Sequence, residues 1–107
     1  MNAVIYARYS SNKQREESIE AQLKVCHAYA EQKGYTVIRE YTDRAFTGKV
    51  DQRPQFQLMI RDSAKRQFEK ILVYRLDRFS RDRYDPAIYQ KQLLKNGVKV
   101  ESATEHI

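Results

Sequence analysis

Residues 71–81 read Ile71-Leu72-Val73-Tyr74-Arg75-Leu76-Asp77-Arg78-Phe79-Ser80-Arg81. The first four form an unbroken apolar run of strand length, and a run without alternation suits a strand covered on both faces. Strands of that kind belong to parallel sheets, whose crossover helices lie on the two faces. Directly after the run the sequence turns basic, with Arg75, Arg78, Arg81 and Arg83 gathered around Asp77. Ligands of open parallel sheets bind beyond the carboxyl ends of the strands, so this charge falls where an anion is held. A second stretch has the same design: Ala3-Val4-Ile5-Tyr6-Ala7 is a short apolar run that leads into Arg8-Tyr9-Ser10.

The rest of the chain alternates between the two periodicities. Between Glu16 and Lys33, the residues Ile19, Leu23, Cys26 and Ala30 make one stripe of a helix. Ser18 stands before the stripe as a cap, and Gly34 after it as a stop. Tyr35 to Tyr41 is rich in β-branched and aromatic residues and reads as a second strand. The polar stretch from Thr42 to Arg53, with Gly48 inside it, reads as a loop. Pro54 suits the first turn of a helix with Phe56, Met59, Ile60 and Ala64 on its buried face. Asp85-Pro86 opens a further helix that runs to Asn96 and stops at Gly97, and Val98 to Ser102 forms a fourth strand. Strand and helix alternating at this spacing predict right-handed crossovers. The expected fold is α/β: a mostly parallel four-stranded sheet flanked by helices, in one domain over residues 1–107.

Composition narrows the partners. The 107 residues carry a formal net charge of +6, which favours a polyanion. Cys26 is the single cysteine, so neither a disulfide framework nor a zinc cluster is expected. No apolar run approaches the roughly 20 residues of a membrane span, and residues 1–6 lack the pattern of a signal peptide. A cytoplasmic protein without membrane contact is the expectation. Gly34, Gly48 and Gly97 lie too far apart to build a phosphate-cradling loop, which excludes the common nucleotide-cofactor motifs.

Ser10 is the leading nucleophile, although a serine at this place also serves as a helix cap or a turn residue. Arg8 stands two residues earlier and therefore on the same side of the strand. A serine hydroxyl needs a proton acceptor or strong stabilisation of its transition state. Neither His27 in the first helix nor His106 next to the last residue fits a serine–histidine triad. What remains is catalysis by arrayed positive charge, in which guanidinium groups hold phosphate oxygens. Arg53, just before Pro54, is a further candidate because a helix start favours anions. Asp43 either orients an arginine or binds a cation, and scattered aspartates do not make a metal site by spacing alone. A non-catalytic module that only grips phosphates is the rival reading. A phosphatase or flavodoxin-like binder is remote, because Cys26 sits on an apolar helix stripe and no phosphate loop is present.

Five ordered blocks carry a resemblance: Tyr6-Ala7-Arg8-Tyr9-Ser10, Ser18-Ile19-Glu20-Ala21-Gln22, Asp43 through Gly48, Arg53-Pro54, and Val73 through Arg81. Together they resemble the catalytic domain of the serine recombinases, the resolvases, invertases and phage integrases that cut and rejoin DNA. The likeness is greatest to the large serine recombinases of the integrase and transposase branch. It implies a resolvase-like fold acting on double-stranded DNA, with Ser10 attacking a phosphodiester to form a 5′-phosphoserine linkage and release a 3′ hydroxyl. Arg8, Arg53, Arg78 and Arg81 match the phosphate-binding arginines of the family. Asp77 matches its acidic residue, in an orienting or proton-transfer role, and Gln22 and Asp43 match supporting positions. The resemblance implies no metal and no nucleotide cofactor. It also implies a homodimer or tetramer for the full-length parent, built through a long helix and a DNA-binding region that follow the catalytic fold. Neither is seen in residues 1–107, so an excised catalytic domain, rather than a truncated parent, is expected, with weak DNA affinity and little or no recombination activity.

Overall fold

The computed structural model describes residues 1–9, 17–44, 54–79 and 85–105, with the backbone alone at 77–78 and 85–87. In chain order the elements are β1 (Asn2–Tyr9), α1 (Ile19–Lys33), β2 (Thr36–Arg44), α2 (Pro54–Asp62), β3 (Lys70–Val73), the single turn α3 (Leu76–Phe79), α4 (Asp85–Lys95) and β4 (Lys99–Ser102). The four strands form one sheet in the order β2-β1-β3-β4, and every neighbouring pair is parallel. From β1 the chain crosses to β2 on one side, whereas from β3 it crosses to β4 on the other. The topological switch therefore lies between the carboxyl ends of β1 and β3, the place where such sheets hold ligands.

Alternation along the strands divides the core into two layers. Ala3, Ile5 and Leu72 face α1, where they meet Cys26 and Ala30. Val4, Tyr6, Ile71 and Val73 face the other way, towards Phe56, Met59 and Ile60 of α2 and Leu93 of α4. Strand β2 changes sides within its length. Ala3 pairs with Val37 but Val4 pairs with Arg39, so Ile38 is the extra residue of a β-bulge. Val37 accordingly packs on the α1 layer while Tyr41 packs on the α2 layer.

Three details differ from the sequence-based expectation. Strand β2 runs on to Arg44, so Thr42, Asp43 and Arg44 are strand rather than loop. Pairing with β1 out to Tyr9↔Arg44 supplies the backbone partners that the polar side chains hide from a propensity reading. Ala64 is not on the buried face of α2. The helix ends at Asp62, a 3₁₀ turn follows over Ser63–Lys65, Arg66 closes it in the left-handed conformation, and Ala64 is exposed. The arginine-rich stretch is not wholly loop either, since residues 76–79 wind into α3 around the buried Phe79. No helix among the described residues is long and apolar enough to cross a membrane.

Candidate active site

At the end of β1 the chain leaves the sheet with polar residues on both layers. Arg8 is only 7% exposed and stands in register with Asp43 of β2, which is 6% exposed. A buried carboxylate requires hydrogen bonds, and Asp43 has them. Its Oδ1 accepts from the Gln55 backbone N–H at 3.0 Å. Its Oδ2 accepts from the Phe56 N–H at 2.9 Å and from the Tyr6 hydroxyl at 2.9 Å. The aspartate thus caps α2 from a neighbouring strand, placing negative charge on two of the open N–H groups of the helix start. Asp43 therefore ties β2 to the start of α2 and to Tyr6 of β1, and the loop position expected for it is corrected.

On the opposite layer Gln22, in the first turns of α1, is fully buried. Its Nε2 donates to the Arg8 carbonyl at 2.9 Å and to the Glu17 carbonyl at 2.9 Å. Its Oε1 accepts from the Arg8 N–H at 3.3 Å. Helix α1 itself begins where Ser18 predicts, with the serine hydroxyl accepting from the Ala21 N–H at 3.1 Å.

The second strand end is built by aromatic packing. The Phe56 ring meets Tyr6, Phe79 and Tyr89 edge-on, at centroid separations of 5.3, 5.1 and 4.9 Å. Phe79 fixes α3, whose backbone carries Asp77 and Arg78, against β1 and the core. The root of α3 is held from the end of β4 and the residues just after it. Thr104 donates its hydroxyl to the Tyr74 carbonyl at 2.6 Å, Ser102 does so at 3.2 Å, and the Leu76 N–H donates to Glu105 at 2.7 Å.

Of the residues expected from sequence, Arg8, Gln22 and Asp43 come together at the β1 end, and Asp77 and Arg78 sit on the turn after β3. Ser10, Arg53 and Arg81 lie outside the described residues, as do Arg83 and His106. Arg75 is exposed. Sequence reasoning missed Tyr6, Phe79 and the Ser102–Glu105 anchor. Tyr6 left a signal, because a tyrosine inside an apolar strand needs a partner for its hydroxyl. Two further groups lie apart from the strand ends. Burial pushes the Cys26 thiol up to about 12, which leaves it unreactive. On the α1 layer Glu101 accepts from Tyr29 at 2.8 Å and Tyr35 at 3.0 Å and pairs with Lys70 at 2.8 Å.

The family model described as "Resolvase, N terminal domain" matches residues 3–107. Among solved structures, the N-terminal catalytic domain of TP901-1 integrase is similar at 34% identity and a TM-score of 0.86, over 100% of this chain and 80% of that one. The C-terminal catalytic domain of ISC1926 TnpA, an IS607-like serine recombinase, is 30% identical with a TM-score of 0.81, over 99% of this chain and 72% of that one. A resolvase family site-specific recombinase from Streptococcus pneumoniae is 28% identical with a TM-score of 0.87, over 100% and 74%. A protein of Bacillus subtilis (strain 168) named "Putative DNA recombinase" is 28% identical over 96 residues. The alignment covers 88% of this chain but only 19% of that relative's length.

Proposed function

The chain belongs to the resolvase N-terminal domain family, and from that premise we propose that it is the strand-cutting and strand-joining unit of a site-specific DNA recombinase. Ser10 Oγ attacks a backbone phosphorus, the bond to the 3′ oxygen breaks, and the 5′ end stays on the serine as a phosphodiester. Attack by a 3′ hydroxyl on that linkage reverses the step and reseals exchanged strands, so the bond energy is kept without a nucleotide. Arg8, Arg53, Arg78 and Arg81 hold the non-bridging oxygens as charge develops. Asp77 orients these groups or moves the proton, while Asp43 and Gln22 fix the scaffold around them. The parent works on double-stranded DNA as a homodimer or tetramer.

The observation that carries this reading is the switch point. The strand leading to Ser10 and the strand leading to Asp77 and Arg78 are neighbours in a parallel sheet, paired from Ala3↔Lys70 to Tyr6↔Val73. The test uses the full-length parent and a DNA duplex with a nick placed to trap cleavage. A detergent-resistant protein–DNA adduct is expected with the wild type and is lost in Ser10→Ala. DNA binding with no adduct in any condition would leave a phosphate-gripping module instead.

A further inference from the structure

We propose that Gln22 is a positioning residue that clamps both flanks of the segment carrying Ser10; this rests on the functional reading above. The pairing of β1 with β3 stops at Tyr6↔Val73, yet β1 continues to Tyr9. The backbone groups of Arg8 therefore extend past the last partner residue of β3. Buried backbone groups left unpaired are costly, and the Gln22 amide meets both of them, as the next residue of a neighbouring strand would. Its second N–H goes to the carbonyl of Glu17, just ahead of α1. One side chain thus grips the chain where it leaves the sheet and where it enters the helix.

The same inventory shows what Gln22 does not do. A primary amide has two N–H donors, and both are committed to carbonyls, at 2.9 Å each. No donor remains for a phosphate oxygen. The residue acts through Arg8 and, two positions further along the chain, Ser10. It is itself held by α1, which is seated on the sheet through Cys26 and Ala30. Reactions of this kind are sensitive to placement, a shift of about 1 Å costing on the order of a hundredfold in rate.

The test compares Gln22→Met, which keeps the volume and loses all three bonds, with Gln22→Glu, which keeps the acceptor and loses the donors. Three readouts are taken: amide exchange at Arg8 on this chain, and DNA affinity and the rate of adduct formation on the full-length parent. In Gln22→Met the Arg8 amide exchanges about tenfold faster or more, the adduct rate falls about a hundredfold, and DNA affinity stays within about twofold. In Gln22→Glu the loss is deepest near pH 8, where a carboxylate faces two carbonyls. It is partly recovered near pH 5, where a protonated carboxyl donates one bond again. That pH rescue also decides the matter if Gln22→Met does not melt cooperatively.

Wild-type exchange at Arg8 together with a wild-type adduct rate overturns the proposal. So does a rate loss explained by weaker DNA binding, which makes Gln22 a phosphate ligand. If the full-length wild type forms no adduct, the functional reading fails and exchange still decides the clamp. Acceleration confined to Arg8 and the first turn of α1 supports it, and acceleration spread through β1 and β3 overturns it.

Discussion

Helices α1 and α2 solve the same problem at their first turns by different means. Ser18 caps α1 with its own hydroxyl, three residues from the amide it serves. Asp43 caps α2 from another element, eleven residues ahead of the helix start, and the same carboxylate also holds Tyr6 of β1. A local cap stabilises a helix. A remote cap also fixes where the helix stands, because its carboxylate belongs to a strand of the sheet. The helix so fixed is the one that Arg53 immediately precedes.

Mutation separates the two. Asp43→Ala removes three hydrogen bonds to a buried carboxylate and leaves the Tyr6 hydroxyl without that acceptor. A loss of about 3 kcal/mol is expected by urea denaturation, and a loss below about 1 kcal/mol would reduce the remote cap to an ordinary one. Tyr6→Phe keeps the ring against Phe56 and deletes one bond to the charged acceptor, with an expected cost of about 1.5 kcal/mol. Adduct formation should fall further in Tyr6→Phe than in any variant of α1's cap. Ser18→Ala costs about 1 kcal/mol and leaves the rate of adduct formation unchanged, which is the sharpest contrast with Asp43.

Glu101 tests whether distance along the chain or burial gives a remote tie its strength. Like Asp43 it joins separate elements, but its side chain is 25% exposed. Burial works against its charge, and hydrogen bonds from Lys70, Tyr29 and Tyr35 outweigh that, so its pKa lies below the ordinary 4.5. A carboxylate with a depressed pKa stabilises the fold above the ordinary value and loses that contribution as the pH falls through the folded value. The stability gap between the wild type and Glu101→Gln should therefore close on acidification below about pH 4.5. At neutral pH it should be under about 1 kcal/mol. A gap as large as that of Asp43 would show that burial matters less than the span of the tie.

The parts of the fold that depend on near neighbours were legible. Ser18, Gly34, Pro54 and Gly97 mark helix ends within a few residues, and the apolar runs at 3–7 and 71–74 locate the central strands. The site was legible as residue types beyond two strands. Its assembly was not, because the groups that build it meet only after the chain has folded. The carboxylate of Asp43 reads as a loop charge until β2 is paired with β1. Phe79 reads as one more residue of a basic loop until Phe56 is beneath it. The anchor of α3 by Ser102, Thr104 and Glu105 joins residues about thirty positions apart in a way no periodicity encodes.

Ile38 sets how the chain tolerates changes in length. It is 44% exposed on the outer strand, and it is the residue by which β2 exceeds its partner. With Val37 turned to one layer and Asp43 to the other, the odd residue absorbs the mismatch. Shortening the strand by Ile38 alone yields a regular ladder in which Tyr41 and Asp43 keep their direction. Removing one residue between Tyr41 and Asp43 turns the carboxylate away from α2. Homologues a residue shorter are thus expected to have lost it ahead of Tyr41, far from the chemistry that the spacing protects.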